Sequence, residues 1–280
     1  MTDSPGVPSE PGATAPPAVI GETSVLLLDG FRLTRSGVAV ALPPQGQRLV
    51  GFLGLRRTST RDQAAGSLWP DASEAHAHGS LRSTLWRVQK SCPGLIVHHG
   101  GQLSLGPAHV DVHHWTRLAL LAIDRPTEET TGSLSLTPSG ALLPGWYDDW
   151  VIIERERLRQ LHLHALESVA EQLAAQGRNA AALEAALRAV ASDPLRESAH
   201  RLVIRIHLAE GNAAEALRQY ELCRRMLHKE LGIAPSAALR DLLTSVASGI
   251  RDATVDSRSI PERWNEPIPR PRNAAELSRQ

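Results

Sequence analysis

The chain of 280 residues has no net charge at pH 7, and 42% of its residues are hydrophobic. That content excludes wholesale disorder, and the lack of any apolar run of about 18 residues excludes a transmembrane helix. The cysteines, Cys92 and Cys223, belong to no zinc-binding spacing and argue against a disulfide scaffold. Because no signal peptide is visible either, we expect a cytoplasmic protein.

Charge is distributed unevenly along the sequence. Residues 24–106 contain nine Arg or Lys against four Asp or Glu. The corresponding numbers are two against six in residues 107–150 and thirteen against twelve in residues 151–250. A basic segment joined to a near-neutral one is typical of a DNA-binding module attached to a second module.

Proline-rich composition marks both ends of the sequence. Five prolines lie within residues 1–22 and four within residues 251–280. We therefore expect a disordered leader and a disordered tail. The polar, Thr- and Ser-rich region around residues 124–140 predicts a loop between two domains.

Short elements of mixed type are predicted between Val25 and Val112. Alternating apolar residues predict a strand at 25–28 and a hairpin over 31–42. Three helices follow, over 47–55, from the N-cap Thr60 to Leu68, and over 76–90. A last hairpin joins Leu95–Val97 to Leu103–Leu105. This order of elements indicates a winged helix-turn-helix over residues 23–106.

The second part of the chain is predicted to be entirely helical. Apolar stripes at helical spacing recur from Leu158 to Val246. Gly177 and Gly211 are 34 residues apart, as are the pairs Ala182 and Ala216, and Leu183 and Leu217. This is the period of the tetratricopeptide repeat (TPR). The predicted fold is therefore an α+β winged helix-turn-helix followed by an all-α TPR-like domain over residues 107–250.

The helix predicted over residues 76–90 has two faces of different chemistry. One face is apolar and suited to packing on the preceding helix; it contains Ala77, Leu81, Leu85 and Val88, with Thr84 at its edge. The other face offers cations, a hydroxyl and an aromatic ring, which is the chemistry of a helix that reads the major groove. For an isolated helix, the alternative interpretation would be preferred: a solvent-exposed face with ordinary surface arginines. Its place between a two-helix unit and a hairpin favours DNA binding.

Three cations on the polar face are the first candidates for DNA contacts. Arg82 and Arg87 can each pair with guanine through two hydrogen bonds, and Lys90 can position the helix on phosphate. Ser83 can bond to a base edge or to phosphate. Trp86 has two interpretations, a contact with the sugar-phosphate backbone or packing on the wing.

Two residues near helix starts, Arg48 and Thr60, are further candidates for contacts with the DNA backbone. The wing contains His98, His99 and Gln102 rather than arginine. Its electrostatic contribution is expected to be small near neutral pH, where histidine is mostly uncharged.

Several separated motifs, in order, resemble the SARP family of bacterial regulators. Leu81–Val88, preceded by Leu68–Asp71, is similar to the OmpR-type winged helix of that family. Further motifs are similar to its bacterial transcriptional activation domain; they are Leu143–Val151 followed by Glu154–Leu158, then Pro194–Glu197 and Glu230–Ser236. The resemblance covers about residues 25–248.

Membership of this family would imply a transcriptional activator that binds direct repeats near a promoter. It implies double-stranded DNA, RNA polymerase and sigma factor as partners, with two copies side by side on DNA. Larger relatives append an ATPase and a sensor module, which we do not expect in this chain. Gly101 and Gln102 stand where many wings of the family have an aromatic residue and an arginine.

Patterns typical of enzymes and metal sites are missing from the sequence. There is no phosphate-binding loop, dinucleotide fingerprint or nucleophile elbow. The histidines at 98, 99, 109, 113 and 114 lack the spacing and partners of a metal site, so we interpret them as surface or interface residues. We expect no enzymatic activity, no cofactor and no bound metal.

Two clusters near residue 150 also have a structural interpretation. Asp148 and Asp149 precede a helix, where acidic residues interact favourably with the helix dipole. Trp146, Tyr147 and Trp150 are predicted to be core anchors of the helical domain rather than a ligand cage. A protein-interaction adaptor, with the winged helix used for docking, stays open as the alternative function.

Overall fold

The computed structural model describes residues 23–124 and 141–242. The predicted leader and tail, and all but the first residue of the predicted loop over 124–140, lie outside these ranges. The chain divides into two compact units, Met1–Val169 and Ala170–Gln280. The domain boundary after residue 106 stays a prediction. In the described ranges, no helix has the length and apolar character needed to cross a membrane.

A four-stranded sheet begins the first unit. Its strands are β1 (Thr23–Leu26), β2 (Arg32–Arg35), β3 (Val38–Ala39) and β7 (His109–Val110), in the order β3-β2-β1-β7. The first three are antiparallel, which confirms the predicted strand and hairpin. β7 runs parallel to β1, with Val110 opposite Val25. The sequence did not predict β7, because two residues are too few to show a strand pattern.

Three helices form the core of the winged helix. They are α1 (Pro44–Arg56), α2 (Arg61–Leu68) and α3 (Glu74–Ser91), each close to its predicted range. Thr60 caps α2 as predicted: its Oγ1 accepts from the Gln63 backbone N–H at 3.2 Å, and its own N–H donates to Gln63 Oε1 at 3.1 Å. Such a reciprocal cap is worth about 1 kcal/mol.

A second sheet forms the wing. Its strands are β4 (Thr58–Thr60), β5 (Ile96–His99) and β6 (Gln102–Leu105), in the order β4-β6-β5. Gly100 and Gly101 connect β5 to β6 with φ angles of +56° and +81°. Two consecutive positive φ values match a tight hairpin turn and favour glycine at both positions. The hairpin is confirmed, whereas β4 was not predicted.

One more helix of this unit, α4 (Asp111–Asp124), was not predicted. Its first residue ties it to β1. The Asp111 carboxylate accepts hydrogen bonds from the backbone N–H groups of Leu27, Leu28 and Val112 at 2.7 to 3.0 Å. Burial raises the pKa of Asp111, and these three bonds lower it in part.

A loop over residues 141–148 precedes the long helix α5 (Asp149–Ala175). Trp146 stacks on Phe31 with ring centroids 6.2 Å apart, and Trp150 meets Phe52 edge to face at 5.4 Å. Both tryptophans therefore anchor the start of α5 on the winged helix. Tyr147 is 80% exposed, so its prediction as a core anchor is wrong. Trp146 and Trp150 contact each other edge to face at 6.2 Å, whereas the neighbouring Tyr147 ring is left mostly in solvent.

Arg155 holds this loop against α5. Its guanidinium donates to the backbone carbonyls of Leu142, Leu143 and Trp146 at 3.0 to 3.1 Å. Leu143 in turn donates its N–H to the Leu27 carbonyl at 2.9 Å. The first turns of α5 are thus part of the same compact unit as the winged helix.

The second unit contains helical hairpins with a repeating backbone. Its helices after α5 are α6 (Asn179–Ser192), α7 (Glu197–Ala209) and α8 (Ala213–Leu231), and residues 237–242 are also helical. The turns before α6 and α8 contain Gly177 and Gly211, with φ of +72° and +75°. The 34-residue repeat is therefore present in the backbone as well as in the sequence.

Alanine occupies the buried face of α6. The buried residues there are Ala182, Ala185, Ala186 and Ala189. Leu187 and Leu217, which we expected within apolar stripes, are exposed. Small residues allow the helix backbones to approach closely, and this leaves the larger leucines on the outer face. The core around α8 consists of Ile204, Ala216, Cys223, Leu227 and Leu239.

His200 is a fully buried polar residue in this unit, 34 positions after Leu166. Its Nε2 lies 2.9 Å from the Pro194 carbonyl oxygen, and its Nδ1 lies 2.8 Å from the Gln219 amide nitrogen. The ring therefore donates through Nε2 and accepts at Nδ1, which is the pattern of neutral imidazole. Burial lowers the pKa of His200.

Two of the motifs that resemble the SARP family meet in this unit. Glu197, from Pro194–Glu197, accepts a hydrogen bond from the Ser236 backbone N–H at 2.8 Å. Ser236 ends the other motif, Glu230–Ser236. This bond holds the loop after α8 against the start of α7.

Candidate nucleic-acid interface

Helix α3 has the two faces that its sequence predicts. Ala77, Leu81, Thr84 and Val88 are buried, while Leu85 is half-buried. The five candidate residues of this helix are all exposed; they are Arg82, Ser83, Trp86, Arg87 and Lys90. We call these five residues the polar face of α3. The structure thus places them together on one accessible surface.

Within residues 23–124 and 141–242, nothing neutralises the cations of the polar face. No described carboxylate lies within ion-pair distance of Arg82, Arg87 or Lys90. Lys90 Nζ lies 5.3 Å from the centroid of the Trp86 ring, a cation–π distance. Trp86 is 64% exposed and is not packed in the core. The free cations can bind an anion supplied from outside.

A cleft of about 700 Å³ lies beside this face. Arg82 and Arg87 line it, together with Trp69 and His76 from the α2–α3 turn and the start of α3. Ser83 donates its hydroxyl to the Gly79 carbonyl at 3.1 Å. Its oxygen can still accept a hydrogen bond from a base or from water.

The two candidates near helix starts already have partners in the protein. The Arg48 guanidinium forms an ion pair with Asp148 and donates to Gln45 Oε1 at 3.0 Å. Thr60 is the N-cap of α2. Both side chains thus have a structural role, and their contact with DNA stays a prediction.

Arg61 is a cation near the wing that the sequence analysis did not select. Arg61 is exposed and directly follows Thr60, the last residue of β4. Thr60 lies opposite Gln102 of β6, and Gln102 lies opposite His99 of β5. The signal for Arg61 was its position at the start of α2, where backbone N–H groups favour an anion.

The histidines do not form a metal centre in the described part of the chain. No group of three or more His, Cys, Asp or Glu residues there has the geometry to hold an ion. His109 and His114 lie close together, with ring centroids 5.9 Å apart.

Comparison with protein families identifies the helical part of the chain. Residues 138–246 match the family described as "Bacterial transcriptional activator domain". This range includes the loop before α5 and all described helices that follow it.

Two curated relatives are bacterial regulators. The chain is 28% identical over 258 residues to "Regulatory protein AfsR" of Streptomyces coelicolor, an alignment that covers 86% of this chain and 26% of AfsR. It is 28% identical over 198 residues to "Transcriptional regulator RedD" of the same organism, covering 64% of this chain and 55% of RedD. The chain thus spans about a quarter of AfsR and about half of RedD.

A solved structure shares the fold. Mycobacterium tuberculosis EmbR, determined in complex with a low-affinity phosphopeptide, superposes with a TM-score of 0.68 at 20% sequence identity. The match covers 82% of this chain and 66% of EmbR. The likeness supports a winged helix followed by a helical domain.

Proposed function

Because the chain belongs to the SARP family of transcriptional regulators, we propose that it binds specific DNA sequences through the polar face of α3. One observation carries this proposal: three cations stand exposed on one face of a helix-turn-helix, and no carboxylate of the described residues pairs with them. In the proposed complex α3 lies in the major groove. Arg82 and Arg87 contact bases, Lys90 contacts phosphate, and Arg61 contacts the backbone near the wing.

The proposal extends to activation of transcription through the helical domain. The family description of residues 138–246 as a transcriptional activator domain supports this step. Several apolar side chains of the second unit are exposed and suit contact with protein; they are Leu187, Leu217, Leu222, Leu231 and Ile233. We propose RNA polymerase with its sigma factor as the partner, and two copies side by side on a direct repeat. This role places the protein in the cytoplasm.

The test is a selection of random duplex DNA on the full chain at physiological salt, followed by sequencing. We expect enrichment of a direct repeat, whose spacing reports how two copies bind side by side. The matched variant Arg82→Ala/Arg87→Ala should enrich nothing under the same conditions. Enrichment by that variant equal to the wild type would contradict the assignment of α3.

The same selection separates DNA binding from the adaptor function. If the folded, monodisperse wild-type chain enriches no sequence, DNA binding is refuted and the adaptor alternative takes its place. A pull-down for protein partners would then compare the wild-type chain with the variants Leu217→Ser and Leu222→Ser. Loss of a partner in a variant would identify the exposed leucines as the surface that binds it.

A further inference from the structure

A second cleft, of about 610 Å³, lies in the first unit and shares no lining residue with the cleft beside α3. It is formed by Arg57, the residue that follows α1, by β7 and by one side of α4. Its volume falls within the range of about 300–1,000 Å³ that is usual for small-molecule sites. Nothing in the proposed DNA contacts uses these residues.

The polar groups of this cleft are mostly cationic or able to become so. They include two arginines and three histidines, namely Arg57, Arg117, His109, His113 and His114. Among the described residues that line the cleft, one has a carboxylate, Asp124. Two more carboxylates, Asp111 and Glu154, influence His113 electrostatically. Asp111 is bound by three backbone N–H groups, and Glu154 pairs with Arg157 at 2.6 Å. The balance of charge therefore favours an anion.

Two buried polar atoms of the lining have no hydrogen-bond partner among the residues that the structure describes. They are His113 Nε2 and Thr116 Oγ1, three residues apart on α4. A buried polar atom without a partner is unfavourable, so both would gain from a ligand that supplies hydrogen-bonding oxygens. Burial, aided by the Arg57 charge, lowers the pKa of His113.

His114 presents a further donor. Its Nδ1 lies 3.1 Å from the Arg117 guanidinium, which can only donate, so the proton of the neutral ring is on Nε2. Burial lowers the pKa of His114 too, and the charges of Arg117 and His109 lower it further. A bound anion would reverse these effects on both rings and draw protons onto them.

The remaining side of the cleft is apolar. Leu120 and Leu121 line it, and both are exposed although they lie on a helix that buries Trp115 and Ala119. An inorganic ion alone would leave these leucines in water. A ligand with an apolar part would cover them.

We propose that this cleft binds a small organic anion, whose carboxylate or phosphate contacts Arg57, Arg117 and His113 while its apolar part covers Leu120 and Leu121. Guanidinium groups suit this role because their paired N–H donors match the oxygens of a carboxylate or phosphate. Binding is tested on protein without DNA, so it succeeds or fails independently of the proposed function.

The test is an NMR titration of the full chain, with isotope-labelled histidine, against octanoate and separately against octyl phosphate. Titrations at about pH 8 and about pH 6 lie on either side of the ordinary histidine pKa of about 6.5. We expect saturable shifts of the His109, His113 and His114 signals, and binding that becomes tighter at the lower pH by up to about tenfold per pH unit for each proton taken up. The tighter of the two probes identifies the head group.

The variant Arg117→Gln removes an exposed guanidinium from the lining and should weaken binding by about tenfold or more. Arg225→Gln, an exposed position on α8 in the second unit, is the matched control and should bind as the wild type does. The proposal is overturned if neither probe gives saturable shifts below about 10 mM, far weaker than an effector needs. Equal affinity of Arg117→Gln and wild type overturns it as well.

Discussion

Arginines on α3 and arginines on α8 are both exposed, yet their surroundings differ. On α8, Arg218 pairs with Glu215 and Arg224 pairs with Glu221, each partner three residues earlier on the same helix. On α3, Arg82 and Arg87 have no such partner among the described residues. The α8 pairs neutralise charge locally on the surface of their own helix. The α3 cations remain available to a ligand.

The comparison shows why the charge of a whole segment is a poor guide to nucleic-acid binding. Residues 151–250 contain more arginines than residues 24–106, but their acidic residues are almost as numerous. In α5 the same arrangement recurs, with Arg157 beside Glu154 and Arg159 beside Glu156. What distinguishes α3 is therefore the absence of carboxylates at the neighbouring positions of the helix.

The largest expected effect comes from removing the free cations. Arg82→Ala/Arg87→Ala should lower affinity for the selected operator by about 2–6 kcal/mol if both arginines read guanine, with a smaller loss for scrambled DNA. Arg218→Ala/Arg224→Ala removes equal charge from paired positions and serves as the control. Fluorescence anisotropy on both DNAs makes the measurement. Equal losses in the two double variants would refute the comparison.

A smaller effect is expected from introducing on α3 an arginine–carboxylate ion pair like those on α8. Ser83→Glu places a carboxylate four residues before Arg87, within reach of an ion pair on the helix surface. We expect operator affinity to fall by about 1–2 kcal/mol, because one cation is neutralised and a negative charge faces the phosphates. Ser83→Gln has a similar shape without the charge. If it weakens binding as much as Ser83→Glu does, size rather than pairing is responsible.

The buried His200 contrasts with the cations of α3, because both of its ring nitrogens have hydrogen-bond partners inside the second unit. Since burial lowers its pKa in the folded state, the unfolded chain takes up the proton at higher pH. Its contribution to stability is therefore complete above about pH 6.5 and is lost as the pH falls below that value, by about 1.4 kcal/mol for each unit of pKa separation.

Urea denaturation at about pH 7.5 and about pH 5.5 measures this loss. In the double variant His200→Leu/Gln219→Leu, leucine replaces histidine as it does at the equivalent Leu166. We expect this variant to lose less stability on acidification than the wild type. His113 and His114, whose pKa values are also lowered, remain in both proteins. An identical loss in the two would show that His200 does not titrate on unfolding.

The smallest effect is expected for Lys90→Ala. A single phosphate contact should be worth about 0.5–1 kcal/mol, lost equally on operator and scrambled DNA. The dependence of affinity on salt should become shallower by about one counterion. A loss confined to the operator would instead indicate that Lys90 reads a base.

The sequence by itself determined the local features of this protein. Helical periodicity predicted α1 to α3 and the two faces of α3, and Thr60, as the predicted N-cap, marked the start of α2. The glycines at 177 and 211 located the turns of the helical repeat, because positive φ there favours glycine. The motifs of α3, of the loop before α5 and of the loop after α8 were sufficient to indicate the family.

Tertiary structure alone decided which polar groups are free and which are occupied. Arg48 pairs with Asp148, which lies 100 residues further along the chain, and Asp111 accepts a hydrogen bond from Leu27, which lies 84 residues earlier. No local pattern records such pairs, since they arise only when separate elements pack together. The same applies to β7 beside β1 and to the cleft between Arg57, β7 and α4. Periodicity identifies the face of a helix, but packing decides what that face can still bind.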